Sequence, residues 1–449
     1  MRLPFYRKEY SALTRLGIPI MIAQIGFTLQ GMADTIMVGQ HQAEELSAVG
    51  FVNSIMVLAI MLSMGFCQGA VSLIGSLYTQ GRKAEIMAVL KCGIVADALQ
   101  VLLITAVMTV IYFWLPLMGL DPHLLPMMQR YYLILLPSLP MLGIASAFKP
   151  FTDSINDTRT SMWILLLSNV WNILFNWLLI YGQFGLPAMG AVGAAIATVI
   201  SRFVELGILI IYTGKHAKEF PFISGAFKSF MVPKDLVKKF FLKAIPLMFN
   251  ETLWSLGMTT VNQCYSYRSL DAVASTNIES TLWNLMGVAF LAMGEAVGIM
   301  MGHILGSGEL EKAKKQAAGM RRFTVLCCIV FAVIMVGIAP FFPMLYNTTE
   351  YIRHLASNFI LISAVMMPFC AYTHASYFII RSGGNTLITV IFDSVYTWVL
   401  VVPLAYYLSR YTSFSVSWLI AIVRGLEVVK CLIAFFFVRS GIWIKNIVK

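Results

Sequence analysis

Long, nearly uninterrupted apolar runs recur along the whole of this 449-residue chain, and they leave it little choice of fold. A segment that crosses hydrocarbon must satisfy its own backbone hydrogen bonds, which restricts it to helices or closed barrels. A spanning α-helix needs roughly 20 mainly apolar residues, whereas a barrel strand needs about ten of alternating polarity. Twelve segments meet the helical requirement, near residues 14–38, 46–78, 88–116, 128–150, 161–182, 189–213, 238–264, 272–304, 320–345, 354–380, 386–408 and 414–438. Only 12% of the residues are charged, against about 25% in a soluble protein. Soluble multidomain, disordered, collagen-like and disulfide-scaffold classes are thereby excluded, and the expectation is an all-α polytopic membrane protein. The first run is too long for a cleavable signal peptide and lacks a small-residue cleavage site, so it is expected to remain as a helix. The seven cysteines show no C-x-x-C or Cys/His ligand spacing and read as small apolar core residues.

The excess of basic residues, a formal net charge of +11, would suggest nucleic acid in a soluble protein. Here it follows the loops. With both termini and the even-to-odd connections on one side, that side holds 25 Lys and Arg, and the other holds only Arg130, Arg268, Arg353 and Arg410. Such an asymmetry puts both termini in the cytoplasm, with no nucleic-acid partner implied.

The stretch from Lys215 to Lys239 is the longest polar connection and divides the chain almost equally. Landmarks recur across it. Ile18-Pro19 is repeated as Ile245-Pro246, 227 residues later. Gly75 and Gly81 recur at Gly302 and Gly308, and Pro116 recurs at Pro343, at the same offset. Gly65 with Gly69 and Gly294 with Gly298 each form a G-x-x-x-G, which lets helices approach closely. The expected organisation is therefore an N-terminal six-helix lobe over 1–213, a cytoplasmic linker over 214–237 and a C-terminal six-helix lobe over 238–449. Two parallel repeats of this kind suit a transporter, because similar lobes can rock about a site between them.

The motifs resemble those of the multidrug and toxic compound extrusion (MATE) family of secondary transporters. The residues that carry the resemblance are Gly17-Ile-Pro-Ile, Gly31-Met-Ala-Asp34-Thr-Ile-Met-Val-Gly39 and Leu46-Ser-Ala-Val-Gly50 in the first two helices. Asp153-Ser-Ile-Asn-Asp-Thr-Arg159, Asn172-Ile-Leu-Phe-Asn176 through Gly182, and Gly190-Ala-Val-Gly-Ala-Ala-Ile-Ala-Thr198 continue it. The resemblance implies a pair of six-helix lobes in a bacterial inner membrane, acting as a monomer. It further implies export of cationic or amphipathic drugs in exchange for Na+ or H+, with no other cofactor. Asp34 matches the acidic position of the first helix where cation coupling is placed, and Asn172 and Asn176 match the fifth-helix polar pair. Departures from the family pattern leave the ion open between Na+ and H+. One branch has an aspartate where Asn176 stands. The sodium-coupled branch has a glutamate about eight residues past the seventh-helix proline, whereas Glu251 follows Pro246 by five. That branch also has an aspartate in the tenth helix, near the position of Cys370.

Embedded acids lead to the same positions without any family. A carboxylate at the centre of a spanning helix costs about 2.5–3.5 kcal/mol on insertion scales, and it persists where it faces protein or water. Desolvation favours the protonated form of a carboxyl and a bound cation favours the ionised form. Proton, metal ion and cationic drug can therefore exclude one another at one group. Asp34, sharing a face with Gln30 at i,i+4, is the leading cation-coupling residue and a potential Na+ ligand; a capping or helix-bridging role is the plainer alternative. Glu251 is read either as a second cation ligand or as a hydrogen-bonded fastener. Asp393 has no basic neighbour at helical spacing and is assigned, with Gln30, Asn172 and Asn176, to the polar lining of a substrate cavity. Arg202 with Glu205, and Arg424 with Glu427, stand at i,i+3 and are expected to be structural ion pairs. Asp97 is expected to reach water near a helix end. No H-E-x-x-H, G-x-S-x-G or P-loop appears, so no enzymatic or ATP-driven activity is expected. The alternative function is a flippase for lipid-linked oligosaccharides or polysaccharides, which calls for a basic cavity that this charge distribution does not favour.

Overall fold

The computed structural model describes residues 7–118, 122–155, 157–216 and 234–444, and among them the chain is helical with no β-strand. The helices are α1 (Arg7–His41), α2 (Ala43–Thr79), α3 (Lys83–Trp114), α4 (Leu125–Leu135), α5 (Ser138–Ser154), α6 (Thr158–Tyr181) and α7 (Gly190–Lys215). After the polar connection follow α8 (Lys234–Tyr265), α9 (Leu270–Gly306), α10 (Leu310–Ile338), α11 (Glu350–Ser382), α12 (Thr386–Tyr411) and α13 (Val416–Ser440). Most of the expected linker, residues 217–233, lies outside the described residues, as do the extreme termini.

Among the described residues, nine helical segments are long and apolar enough to cross a membrane. The other three expected spans fall on α2, α8 and α13; α13 carries Arg424, Glu427 and Lys430 in mid-helix, and α8 carries Lys243, Asn250 and Glu251. The expected span over 128–150 is not one helix. It breaks between α4 and α5 at Leu136 and Pro137. Pro140 has no N–H to bond the carbonyl of Leu136, and its ring crowds that carbonyl, so regular helical bonding is lost at this turn. Local signals start several helices. The side chains of Asp157, Ser269, Thr349 and Ser415 accept hydrogen bonds from backbone N–H groups in the first turns of α6, α9, α11 and α13.

By its internal contacts the chain forms two compact units. One is Ile22–Met248; the other joins the residues up to Met21 to Phe249–Lys449. Each division falls two residues past an intrahelical proline, Pro19 in α1 and Pro246 in α8. A proline removes one backbone hydrogen bond from its helix, the natural place for a helix to pass from one packed body to the next.

In the Ile22–Met248 unit the core gathers Val49, Val52, Met108, Leu115, Tyr132 and Ile180. Tyr132 keeps its hydroxyl satisfied by donating to the Met108 carbonyl at 2.8 Å. In the Phe249–Lys449 unit the most extensive packing is that of α9 on α11. A Cβ at Gly294 would stand 2.8 Å from the Phe378 ring and one at Gly298 would stand 3.0 Å from it, so this G-x-x-x-G seats an aromatic ring. Ser382 seals the same seam with a 2.9 Å bond to the Gly298 carbonyl. The apolar faces turned outward are those of a protein in hydrocarbon: Leu103 on α3 and Val333 on α10 are each 66% exposed.

Candidate functional site

Two polar rows face each other within the Ile22–Met248 unit. On α1, Gln30 and Asp34 stand one turn apart. On α6, Asn169, Asn172 and Asn176 follow at i,i+3,i+7 and form one face. Asn172 and Asn176 are fully buried, Asn169 and Gln30 nearly so, and Asp34 is partly buried. The rows meet because α1 comes close at Gly26, where a Cβ would stand 3.0 Å from the Asn169 amide nitrogen and 2.9 Å from Leu166.

Asn176 Nδ2 donates to Asp34 Oδ1 and, at 3.2 Å, to Asn172 Oδ1. Asn172 in turn reaches Thr198 Oγ1 and Ser201 Oγ on α7 at 3.5 Å each. The Asn176 Oδ1, the Gln30 Oε1 and both amide atoms of Asn169 are buried without a hydrogen-bond partner. Buried polar atoms are normally satisfied, and each exception calls for a water, an ion or a functional role. Arg202 forms no ion pair with Asp34, although its charge acts on the carboxylate from a distance. It lies 2.5 Å from Glu205 and 5.8 Å from the centre of the Phe27 ring. Among the described residues no basic side chain stands within ion-pair distance of Asp34. The result is a carboxylate held by one neutral amide beside oxygens that lack donors, a set that suits a hard cation or a proton.

The Phe249–Lys449 unit arranges its acids differently. Asn250, fully buried on α8, donates to Tyr377 Oη and to Asp393 Oδ2 at 3.2 Å each. Ser394 donates to the Asn250 carbonyl at 2.8 Å and to its Oδ1 at 2.7 Å. Glu251 Oε1 accepts from Tyr377 Oη at 3.0 Å. Asp393 and Ser394 lie in a π-helical turn, Ile391–Val395, one of two that interrupt α12. Such turns re-aim side chains and recur at functional sites. Asp393 Oδ1 lies 2.6 Å from Lys430 Nζ on α13, and Arg424 spans both oxygens of the fully buried Glu279 at 2.8 Å.

These contacts revise several expectations. Arg424 pairs with Glu279 on α9, not with Glu427 one turn away: its Nη2 alone meets both oxygens of that buried carboxylate. Glu427 accepts instead from Thr373 Oγ1. Asp393 has no cation at helical spacing along its own helix, yet Lys430 reaches it from another. Asp97, expected to reach water, is buried. Asn169 was legible in the sequence from its spacing to Asn172 and Asn176. Tyr377, Ser394 and the Glu279 pairing carry no such signal, because each partner comes from a helix distant in the chain.

The sequence model of the MatE family matches this chain twice, over residues 19–178 and 246–407. The matches begin at Pro19 and Pro246. The chain is 28% identical over 416 residues to the multidrug resistance protein NorM of Vibrio cholerae serotype O1, covering 90% of this chain and 88% of that protein. It is 27% identical over 312 residues to the NorM protein of Vibrio parahaemolyticus, covering 69% and 68%. Among solved structures, a MOP superfamily transporter from Pyrococcus furiosus superposes with a TM-score of 0.86 at 21% identity, covering 96% of both chains. An outward-facing multidrug resistance MATE transporter of that superfamily gives the same figures. At that identity the likeness establishes the fold, that of the MATE transporters; the double match of the family model, over more than half of the sequence, establishes that the chain belongs to the MatE family.

Proposed function

We propose that the chain is a secondary active multidrug exporter that expels cationic or amphipathic compounds in antiport with Na+ or H+, with Asp34 as the exchange site. The observation that carries this reading is the environment of Asp34: a carboxylate inside a spanning helix, held by a neutral amide, with no ion-pair partner among the described residues, next to buried oxygens that lack donors. Relatives over most of the chain are named multidrug resistance proteins, which supports drugs as substrates. The 227-residue spacing of the two family matches supports the six-plus-six lobes, and the loop charges support cytoplasmic termini in a bacterial inner membrane. The protein works as a monomer.

In this scheme a coupling cation entering from outside occupies Asp34 and displaces the drug. Each elementary charge falling through 100 mV supplies about 2.3 kcal/mol, enough to bias a two-state rocker strongly. The flippase reading needs cationic side chains free to take a pyrophosphate, whereas Arg424 and Lys430 are engaged by Glu279 and Asp393. The test is efflux of ethidium from proteoliposomes with Na+ and H+ gradients imposed separately. One of the two gradients drives efflux by the native protein and neither does so for Asp34→Asn. Undiminished efflux by that variant would remove Asp34 from the mechanism, and transport driven by neither gradient would overturn the antiporter reading itself.

A further inference from the structure

In the Ile22–Met248 unit a carboxylate outside the Asp34 network joins the ends of two helices. Helix α7 starts with N–H groups that have no partner within the helix, as every α-helix does. Met189, which precedes it, has an apolar side chain and caps none of them. Glu45, in the first turn of α2, supplies the missing acceptor. Its Oε2 takes the Ala191 N–H at 2.8 Å, and the side chain is buried. The positive end of the α7 dipole favours a negative charge at that place. The same oxygen lies 3.1 Å from Nδ1 of His41, the last residue of α1. Gly190 makes room for this arrangement. It takes a φ of +53°, and a Cβ on it would collide with both Glu45 carboxylate oxygens.

The clip bears on Asp34 through α1. Only Gln42 separates α1 from α2, and the corner is tight: a Cβ at Gly39 would stand 3.2 Å from Leu46 Cδ2. The start of α2 therefore cannot shift without the end of α1. Tyr181, the last residue of α6, holds the same end, donating to the Met37 carbonyl at 3.2 Å and reaching Gln40 Oε1 at 3.1 Å. Asp34 stands seven residues before His41 and eight after Gly26, where α1 meets α6. Seven residues of helix span about 10 Å. Asp34 is thus held midway between two fixed points on one helix, and its bond to Asn176 depends on both.

We infer that Glu45 is a positioning residue for the coupling cation: it clips the end of α1 to the start of α7 and so keeps Asp34 within reach of Asn176, without touching the ion. Functional sites need such support, since a carboxylate left to drift by a fraction of an ångström loses its geometry. The role rests on the exporter reading of Asp34, but the clip itself is measurable with no transport at all.

The first measurement is amide hydrogen exchange at Ala191 in the detergent-purified full-length protein. Glu45→Ala should speed it about tenfold or more, the loss of one bond to a charged acceptor. The second is ethidium efflux from proteoliposomes under the gradient that drives the native protein. Glu45→Ala should raise the concentration of Na+ or H+ needed for half-maximal efflux about tenfold. The maximal rate per folded molecule should stay within about twofold of native. Glu45→Gln keeps an acceptor for the Ala191 N–H and should restore most of the native ion dependence. Gly190→Ala expels the carboxylate and should reproduce the Glu45→Ala shift, and the double variant should add little to it. A folded Glu45→Ala protein with native ion dependence would reduce Glu45 to a helix cap and overturn the assignment, as would unchanged exchange at Ala191. Undiminished efflux by Asp34→Asn would instead strike the exporter reading, and the positioning role with it, while exchange at Ala191 would still report the clip.

Discussion

Asp34 in one unit, and Asp393 with Glu279 in the other, answer the same physical problem, a carboxylate inside a membrane helix, in opposite ways. In the Ile22–Met248 unit, Asp34 keeps one amide donor from Asn176 and, among the described residues, no ion pair. In the Phe249–Lys449 unit, Asp393 and Glu279 are neutralised by Lys430 and Arg424. A buried ion pair offsets much of the desolvation cost of each charge and holds its helices in register, but leaves no charge to trade. A carboxyl satisfied only by neutral dipoles stays open to exchange, because burial favours its protonated form until another cation takes the proton's place. One family model matches both halves of the chain, so likeness of sequence pattern does not carry likeness of chemistry. In the proposed mechanism Asp34 serves for exchange because it lacks a permanent ion-pair partner.

That contrast breaks most sharply on transport. Asp34→Asn should reduce gradient-driven ethidium efflux to the level of protein-free liposomes. It should leave resistance to SDS unfolding nearly unchanged, because no buried cation is left unpaired. If Asp34 were instead a structural acid, the same substitution would lower stability and transport together. Parallel efflux and unfolding measurements on one preparation separate the two.

The opposite signature belongs to Asp393. Asp393→Asn leaves Lys430, which is buried, without its counter-charge. Breaking one side of such a pair costs about 3–5 kcal/mol. Asp393→Asn combined with Lys430→Met removes both charges and should recover most of that loss. A single variant as stable as the native protein would show that Lys430 finds water or another acid, and the division between the two units would blur.

Asn176→Leu comes next in size. It withdraws the one donor to Asp34 and an orphan oxygen, while leaving the carboxylate in place. Hydrogen bonds to charged groups contribute about 1.5–3 kcal/mol, so the apparent affinity for the coupling cation should fall about tenfold or more. The concentration of Na+ or H+ needed for half-maximal efflux reports it. The same leucine at an equivalent amide in a salt-bridged network would change stability rather than ion dependence.

How far the sequence reaches follows from the range of each signal. Twelve apolar runs, their loop charges and the Pro19 and Pro246 landmarks are local or periodic, and helix covers most of every run. Asp34, Gln30, Asn172 and Asn176 were legible because an isolated polar group in hydrocarbon is conspicuous wherever its partners lie, and the structure sets them together on α1 and α6. The charged pairs were read differently from the two ends of the chain. Arg202 and Glu205 stand 2.5 Å apart, as their spacing suggests. Arg424 and Glu427 have the same spacing, and a third helix draws Arg424 to Glu279. Spacing along one helix states which groups can meet, whereas the choice among partners is made by packing between helices. The break at Pro137 was present in the sequence as Leu136-Pro-Ser-Leu-Pro140, although hydropathy alone reads across it.

The smallest effect tests how tightly each unit holds its polar network. Ser394 makes two bonds to Asn250, at 2.8 and 2.7 Å, while Asn172 meets Thr198 at 3.5 Å, beyond good hydrogen-bond geometry. Side-chain hydrogen bonds between membrane helices average about 0.6 kcal/mol and reach about 1.7. Ser394→Ala should therefore lower stability by about 1 kcal/mol, since it also leaves the Asn250 oxygen buried without a donor. Thr198→Ala should cost only a few tenths of a kcal/mol. Neither substitution removes a charge, so efflux per folded molecule should stay at the native level in both. Equal losses of stability, measured by SDS unfolding, would mean that the loose contacts around Asn172 tighten in another state of the protein. The slack network beside Asp34 would then be a feature of this conformation rather than of the site.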